Sequence, residues 1–247
     1  MSATPTPHAG ERLAEARQIL ARAKSIAVLT GAGISAESGL PTFRGPGGLW
    51  RNFRPEDLAT PHAFARDPAI VWEWYNWRRS VHAQCAPNAG HAALAQLEQR
   101  TEAFLLITQN VDSLHERAGS RNVIHLHGSL WRVRCLECHV ESPNQDVPLT
   151  PVPPRCDCGG MLRPAVVWFG EPLPPDLLRI AADAAQAAEA FLVVGTSGMV
   201  YPAAQLPQIA LESGARIIEV NPEETPLSQH SSVFLRGAAG EILPQVV

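Results

Sequence analysis

The sequence predicts an α/β fold built on a mostly parallel sheet, with helices on both faces and a separate irregular module. Short, continuously apolar runs, typical of strands buried in a parallel sheet, alternate with amphipathic helical segments. Between the third and fourth of these runs, residues 132–162 contain four cysteines and five prolines and show little periodicity. The alternation indicates the sheet, and the interruption indicates the module.

The individual elements follow from local patterns. The segment Glu11–Lys24 places Leu13, Ile19 and Leu20 on one helical face, which predicts a surface helix after a flexible tail at 1–10. Further helices are predicted at Trp72–Ala83, Gly90–Arg100, Pro175–Ala188 and Ala203–Ser213. The apolar runs that predict strands are Ser25–Thr30, Ala103–Thr108, Val123–His127, Ala165–Phe169, Ala190–Val194 and Ala215–Val220.

Composition excludes several classes of protein. The 247 residues are 45% hydrophobic with a formal net charge of -4, which argues against a disordered chain and against a general nucleic-acid binder. No apolar run reaches the ~18 residues of a membrane span, and no signal peptide is visible. We therefore expect a cytoplasmic protein that binds neither membrane nor nucleic acid. An odd number of cysteines, five, also disfavours a secreted disulfide framework.

A glycine-rich loop, Gly31–Ser35, directly follows the first predicted strand, where a parallel sheet opens to its ligand crevice. Glycines at this position allow the backbone to approach a pyrophosphate. The next glycine, Gly39, comes six residues after Gly33, instead of three as in the usual dinucleotide fingerprint. On spacing alone, a phosphate-binding loop and an ordinary tight turn are equally supported.

Polar side chains directly follow the second predicted strand, and two histidines lie at the end of the third predicted strand. Gln109, Asn110 and Asp112 offer amide and carboxylate groups that suit a carboxamide ligand, although a turn in which Asp112 caps the next helix is the simpler explanation. His125 and His127 alternate, so a strand would place them on one face. A histidine there is a candidate general base because its ordinary pKa is about 6.5, and the alternative is a pair of packed or solvated histidines.

The four clustered cysteines have the spacing of a zinc site. Cys135 and Cys138 form a CxxC, and Cys156 and Cys158 form a CxC followed by two glycines. Four thiolates match the tetrahedral preference of Zn²⁺ and leave no open position, which predicts a structural ion that stabilises a module with little core of its own. The alternatives are disulfides or a redox CxxC, which the proline-rich, irregular context disfavours. Cys85 lies outside the cluster and is expected to be a buried apolar residue.

Four segments of the sequence resemble signatures of the sirtuins, the NAD-dependent protein deacylases. They are GAGISAESGLPTFRG at 31–45, TQNVDSLHERAG at 108–119, the His-Gly pair at 127–128 and VVWFGE at 166–171. The resemblance extends over Leu13–Pro244 and implies a Rossmann-like NAD-binding domain with two inserts, of which one is the four-cysteine zinc module that the family has at this place. The boundaries that it predicts are 11–43, 88–130 and 164–247 for the Rossmann-like domain, with a helical insert at 44–87 and the zinc module at 131–163 forming a smaller domain.

The resemblance also implies roles for individual residues. It makes His127 the catalytic base, with Asn110 beside it at the reaction centre. It makes NAD the cofactor, and the residues expected to bind it are Gly31, Ala32, Gly33, Ser35, Phe43, Arg44, Trp50, Gln109, Asn110, Val111, Asp112, Gly195, Thr196, Ser197, Asn221, Pro222, Glu223 and Ala239. The residues expected to pair with the peptide of an acyl-lysine protein, by strand addition, are Val167, Trp168, Phe169, Gly170 and Glu171. The implied products are free lysine, nicotinamide and O-acyl-ADP-ribose.

A tyrosine and an arginine indicate which acyl groups the protein accepts. Tyr75 and Arg78 are three residues apart on a predicted helix and therefore face the same way. A phenol and a guanidinium can bind a carboxylate, although aromatic packing beside a solvated arginine is the commoner outcome. The YxxR pattern resembles that of sirtuins that remove succinyl and malonyl groups, in which a small residue, here Ala59, leaves room for the longer chain.

The expected activity is therefore removal of succinyl, malonyl and acetyl groups from lysine. Two alternatives stay open. One is a protein mono-ADP-ribosyltransferase that uses the same NAD site, and the other is a non-catalytic reader of NAD or acyl-lysine.

Overall fold

The computed structural model describes residues 9–42 and 54–247. The strands in this part of the chain are β1 (Ser25–Thr30), β2 (Ala103–Thr108), β3 (Val123–His125), β4 (Gly128–Cys135), β5 (Glu141–Pro143), β6 (Leu162–Val166), β7 (Ala190–Val194), β8 (Arg216–Asn221) and β9 (Val233–Arg236). Six of them form a parallel sheet in the order β3-β2-β1-β7-β8-β9. The order reverses between β1 and β7, which is where Rossmann-like sheets open a ligand crevice at the carboxyl ends of their strands.

The helices are α1 (Ala9–Arg22), α2 (Pro55–Leu58), α3 (Pro61–Arg66), α4 (Pro68–Gln84), α5 (Ala89–Arg100), α6 (Leu114–Arg117), α7 (Pro175–Ala187), α8 (Leu206–Glu212) and α9 (Ala239–Val246), with 3₁₀ turns at Ala32–Ser38 and Ala203–Gln205. The start of α4 has a local cause, because the Asp67 side chain accepts a hydrogen bond from the amide of Ile70 and a proline occupies the first turn. Within residues 9–42 and 54–247, no helix is long and apolar enough to cross a bilayer.

Both faces of the parallel sheet are covered by helices. Val28 and Leu192 share one hydrophobic cluster with residues of α1, α5 and α9. Their neighbours along the strands, Leu29 and Val193, belong to a second cluster with residues of α7 and α8. This alternation of burial along continuously apolar strands confirms the predicted α/β class.

A second, antiparallel sheet in the order β5-β4-β6 lies in the cysteine-bearing region. Val133 of β4 and Val166 of β6 share a hydrophobic cluster with Phe64 of α3 and Trp72 of α4. The helical insert and the cysteine-bearing sheet thus have a common core, as the predicted fold class states. The exact boundaries between the two domains remain a prediction.

The structure corrects three predicted elements. The apolar run Ala165–Phe169 does not join the parallel sheet, because β6 ends at Val166 and pairs antiparallel with β4. The strand predicted at Val123–His127 ends at His125, and the segment predicted to be irregular contains β5 and much of β4. An apolar run indicates burial but not which sheet a strand joins, and this is the physical reason for the first error.

Candidate active site

Two glycine-containing loops meet at the carboxyl ends of β1 and β7. The amide of Gly31 donates to the carbonyl of Val194 over 3.0 Å, and the amide of Gly33 donates to the carbonyl of Gly195 over 2.8 Å. A Cβ atom on Gly33 would lie 2.7 Å from the Cα atom of Gly195, which itself has a φ of 60°. The glycines of the predicted cofactor loop are therefore needed for the close approach of these two loops.

Ser35, Asn110 and Asp112 form a buried cluster beside the first glycine loop. Ser35 Oγ donates to Asp112 Oδ2 over 2.9 Å. Asn110 Nδ2 donates to Ser35 Oγ over 3.2 Å and to the carbonyl of Gly31 over 3.1 Å. Asp112 Oδ1 also accepts from the amide of Leu114, the first residue of α6, over 3.0 Å, although the N-cap residue of that helix is Ser113 and not Asp112. Burial raises the pKa of Asp112, against the opposing effect of its hydrogen bonds.

His127 has the protonation state that a base requires. Its Nδ1 atom lies 2.9 Å from the carbonyl oxygen of Gln109, and because a carbonyl can only accept, Nδ1 carries the proton and Nε2 has the lone pair. Burial lowers the pKa of His127, although the bond to Gln109 opposes this shift. The imidazole is therefore neutral near pH 7, with Nε2 able to accept a proton.

His125 lies in a different electrostatic environment. Its Nδ1 atom is 3.1 Å from the carbonyl oxygen of Asn110, and its Nε2 atom is 2.5 Å from Glu116 Oε1. Burial lowers the pKa of His125, but the hydrogen bond and charge of Glu116 outweigh burial, so the pKa is raised overall. Both ring nitrogens of His125 are thus occupied by contacts with protein oxygen atoms, which agrees with the predicted structural role of His125.

Thr196, in the loop after β7, contacts the loop after β2 and the last residue of β8. Gln109 Nε2 donates to Thr196 Oγ1 over 3.0 Å, and Asn221 Nδ2 donates to the carbonyl of Thr196 over 3.0 Å. Asn221 is in turn held by Glu219, a fully buried carboxylate that accepts from Asn221 Nδ2 over 3.0 Å. Three of the predicted NAD-binding positions are thus tied together by side chains from separate strands.

The remaining predicted NAD-binding positions differ in exposure. Ser197 is half-buried, Pro222 and Glu223 are exposed, and Ala239 is buried in the sheet core at the start of α9. The predicted contacts at Phe43, Arg44 and Trp50 lie outside the described residues.

A small cavity of about 30 Å³ joins the cofactor loops to α4. Its lining includes Ala32, Ser35, Asn110, Val111 and Asp112 from the loops and Arg78 from α4. The structure therefore places Arg78, one member of the predicted acyl-binding pair, at the same cavity as the buried cluster of Ser35, Asn110 and Asp112.

Arg78 and Tyr75 contact each other on the buried side of α4. The guanidinium carbon of Arg78 lies 5.5 Å from the ring centre of Tyr75 and 4.9 Å from that of Trp74. Burial lowers the pKa of Arg78, against the opposing electrostatic effects of Tyr75 and Asp112. Ala59 is buried in the same hydrophobic cluster as Tyr75.

The segment predicted to bind the substrate peptide is held by hydrogen bonds at three successive amides. Val167 donates to the carbonyl of His127 over 2.9 Å, and Phe169 donates to the carbonyl of Ala59 over 3.0 Å. Between them, the amide of Trp168 donates to Glu171 Oε2 over 2.8 Å. The segment is thereby fixed between His127 and Ala59 of the helical insert.

His91 and Arg163, two buried polar residues near the site, are not indicated by any motif in the sequence. His91 Nε2 lies 3.5 Å from Ser35 Oγ, and Arg163 donates to both carboxylate oxygens of Glu171, at 2.6 and 2.8 Å. His91 is separated from Ser35 by 56 positions in the chain, so residue spacing contains no signal for that contact. The eight-residue separation of Arg163 and Glu171 matches neither a helical nor a strand motif.

The four clustered cysteines converge with the geometry of a metal site. Their Sγ atoms all lie within 4.8 Å of one another, with Cys135 to Cys158 at 3.5 Å and Cys138 to Cys156 at 3.8 Å. A disulfide requires about 2.05 Å, whereas tetrahedral zinc with Zn–S bonds of about 2.3 Å separates its sulfur ligands by about 3.8 Å. The thiols therefore fit a structural zinc ion and are not disulfide-bonded. Cys85 is buried apart from them, beside Leu40 and Leu114.

Known proteins are similar in sequence to this chain over most of its length. The sequence profile of the Sir2 family matches residues 31–202. NAD-dependent protein deacylase 2 of Pyrobaculum aerophilum is 56% identical over 230 residues, which cover 93% of this chain and 92% of that protein. The NAD-dependent protein deacylase of Aquifex aeolicus is 56% identical over 223 residues, which cover 90% of this chain and 93% of that protein.

Solved structures share the fold. A Sir2 homolog in complex with NAD has a TM-score of 0.90 and 51% sequence identity, covering 99% of this chain and 94% of its own. Sir2Af2 bound to a myristoylated histone peptide has a TM-score of 0.77 and 38% identity, covering 96% of this chain and 95% of its own. Agreement in sequence over nearly the whole length, together with agreement in fold, means that this chain belongs to the Sir2 family.

Proposed function

We propose that this protein is an NAD-dependent protein lysine deacylase. With NAD and one water molecule as co-substrates, it transfers an acyl group from a lysine side chain to ADP-ribose, and the products are free lysine, nicotinamide and O-acyl-ADP-ribose. The observation that carries this proposal is His127, neutral and held through Nδ1 by Gln109, at the crevice that also contains the buried Asn110 cluster. The activities named for its relatives and the NAD-bound homolog support it.

The residues at the crevice suit NAD. The loops after β1, β7 and β8 lie where a parallel sheet of this order binds dinucleotides. Asn110 and Asp112 would hold the nicotinamide and its ribose, and Thr196 and Asn221 would hold the adenosine side. When bound, NAD supplies a ribose carbon that the acyl oxygen attacks as nicotinamide leaves.

In this proposal His127 moves the proton that the acyl transfer requires. Nε2 accepts a proton from a ribose hydroxyl, so that the hydroxyl oxygen becomes nucleophilic. The imidazolium that results is stabilised by its Nδ1–H bond to the Gln109 carbonyl. The same bond holds the ring in place, so that little reorientation is needed during the reaction.

We further propose that the preferred acyl groups include succinyl and malonyl as well as acetyl. Arg78 lines the cavity next to the polar cluster, and a guanidinium stays charged even when burial lowers its pKa. A buried cation at a cavity wall favours an anionic ligand. Tyr75 offers a second polar group on the same side of α4, and Ala59, whose small side chain is proposed to accommodate the longer acyl chain, belongs to the same hydrophobic cluster.

The substrate peptide is proposed to add as a strand beside Val167–Glu171. Because the amides of Val167, Trp168 and Phe169 already donate within the protein, this segment would offer the peptide mainly its carbonyl oxygens. Main-chain pairing of this kind tolerates many peptide sequences, which suits an enzyme acting on several acyl-lysine proteins.

Product analysis tests the proposed function. The protein is incubated with NAD and a succinyl-, malonyl- or acetyl-lysine peptide, and the products are identified by mass spectrometry. Deacylated peptide, nicotinamide and O-acyl-ADP-ribose in equal amounts are expected. Labelled ADP-ribose bound covalently to protein would instead establish a mono-ADP-ribosyltransferase, and nicotinamide release would exclude a non-catalytic reader.

A further inference from the structure

A buried hydrogen bond joins the substrate segment to the acyl-recognition helix. Trp168 Nε1 donates to Tyr75 Oη over 2.9 Å, although the two residues are 93 positions apart in the chain. Both side chains are almost completely buried, at 3% and 2% exposure. The indole N–H therefore acts on the phenol without competition from solvent.

The indole of Trp168 is itself rigidly held. The guanidinium carbon of Arg163 lies 3.5 Å from the Trp168 ring centre, and Arg163 is fixed by two charge-assisted bonds to Glu171. Glu171 also accepts from the Trp168 amide, so one carboxylate anchors both the backbone and the cation that covers the ring. Phe64 packs against the ring at 5.2 Å between centroids. The indole can thus serve as a fixed reference point for Tyr75.

The direction of this bond determines what the Tyr75 hydroxyl can do. Its oxygen accepts from Trp168 and also interacts with the Arg78 side chain by a hydrogen bond. Burial raises the pKa of Tyr75, against the opposing effects of Arg78 and Trp168, so the phenol keeps its proton. With its oxygen occupied by N–H donors, the hydroxyl is oriented to donate rather than to accept. A donor beside a guanidinium matches a carboxylate.

We infer that the indole of Trp168 is a specificity-determining positioning residue, which selects acidic acyl groups by orienting the Tyr75 hydroxyl as a donor. The inference rests on the proposed succinyl and malonyl activity of the Tyr75 and Arg78 pair, and it adds a role for a side chain whose segment was expected to act only through its backbone. Trp168 need not touch the acyl group, because it acts through Tyr75.

The test compares kcat/KM for succinyl and acetyl peptides in Trp168→Phe, which keeps the aromatic ring stack and removes the N–H donor. We expect the succinyl-to-acetyl ratio to fall about threefold to tenfold, as for the loss of one hydrogen bond, mainly through KM for the succinyl peptide, with KM for NAD unchanged. Trp131→Phe is the matched control, because the buried Nε1 of Trp131 has no hydrogen-bond partner among the described residues. An unchanged ratio in Trp168→Phe, or an equal fall in Trp131→Phe, overturns the inference.

A double-mutant cycle with Tyr75→Phe separates this inference from the function on which it rests. Once the Tyr75 hydroxyl is absent, adding Trp168→Phe should not lower the ratio further. If Tyr75→Phe and Arg78→Met leave the ratio unchanged, the acidic-acyl proposal itself fails. If they lower the ratio and Trp168→Phe does not, only the role of Trp168 fails.

A spectroscopic measurement covers the case in which Trp168→Phe does not fold. The indole N–H resonance of Trp168 is recorded by nuclear magnetic resonance in the wild-type protein and in Tyr75→Phe, both of which retain the tryptophan. An upfield shift of the indole proton in Tyr75→Phe is expected because its acceptor is gone. An unchanged resonance would show that the bond does not exist in solution, and the inference would be overturned.

Discussion

The Nδ1 atom of His127 lies 2.9 Å from the carbonyl oxygen of Gln109, and this contact leaves Nε2 as the basic atom of the ring. Replacing His127 by Ala should lower kcat about 100-fold to 10,000-fold, as is typical for the loss of a general base. Binding of NAD, measured by calorimetry, should change little. The exposed His230 supplies a control, because His230→Ala should keep full activity. Full turnover in His127→Ala would remove this residue from the mechanism.

The ion pair between His125 and Glu116 predicts a pH-dependent contribution to stability. The folded-state pKa of His125 is raised, so its contribution is present below the unfolded pKa of about 6.5 and is lost as the pH rises through the folded value. Burial raises the pKa of Glu116, but the hydrogen bond and charge of His125 lower it overall. The contribution of Glu116 to stability is therefore present above its unfolded pKa and is lost as the pH falls through its folded pKa. The pair should therefore stabilise the fold most between about pH 4.5 and 6.5.

Urea unfolding of wild type and His125→Gln at pH 5.5 and pH 8.5 measures this contribution. The difference between the two proteins should be larger at pH 5.5 by about 1 kcal/mol, a modest value because Glu116 is partly exposed and solvent screens the pair. A difference that grows towards pH 8.5 would contradict the assigned charge on His125.

Gly195 is expected to be intolerant of any side chain because two loops meet at its backbone. An added Cβ would lie 2.4 Å from the amide nitrogen of Ile34, and the φ of 60° is unfavourable for other residues. We expect Gly195→Ala to lower the free energy of unfolding by about 2 to 5 kcal/mol and to weaken NAD binding. Gly214→Ala is the matched control, since Gly214 has a φ of 91° but no atom within 4 Å of its added Cβ. Equal effects of the two substitutions would show that the close approach of the loops is unimportant.

Arg78 should discriminate between acyl groups by charge. Substitution by Met keeps much of the side-chain length and removes the guanidinium, which should lower kcat/KM for succinyl and malonyl peptides about tenfold to 100-fold while acetyl activity falls much less. Rates on the three peptides at saturating NAD measure the effect. A uniform loss on all three would mean that Arg78 supports the fold and does not bind the acyl carboxylate.

The zinc ion should be structural. Cys138→Ser should reduce the metal content from about one zinc per chain and expose the module to proteolysis, because a ligand of the tetrahedral site is lost. Cys85→Ser should retain its metal, since Cys85 lies outside the cluster. Replacement of zinc by cadmium, which also binds four thiolates, should preserve deacylase activity. Loss of activity in a folded cadmium form would contradict a purely structural role.

Much of the fold could be predicted because local sequence and tertiary environment agree. The strands β1, β2 and β7 have the predicted bounds, since each is a continuous apolar run; β1 and β7 are buried along almost their whole length, and β2 is buried in its carboxyl-terminal half. The prediction that residues 165–169 join the parallel sheet was wrong, because burial in the small antiparallel sheet produces the same apolar pattern as burial in the parallel sheet. The strand β9 and the helix α9 were not predicted, since they are short and their patterns are weak beside those of the central strands.

The order of residues along the chain is enough to identify the chemical groups at the ends of the apolar runs. Glycines, amides and a histidine follow such runs, and the topology of a parallel sheet gathers the ends of its strands at one edge. The paired cysteines lie in the separate antiparallel module. The orientation of these groups depends on contacts in three dimensions. Gln109 accepts from Nδ1 of His127, and Trp168 Nε1 donates to the Tyr75 hydroxyl oxygen, from which we infer the donor role of Tyr75. Such hydrogen bonds join residues distant in the chain, and their direction depends on a fixed three-dimensional geometry that no spacing along the sequence encodes.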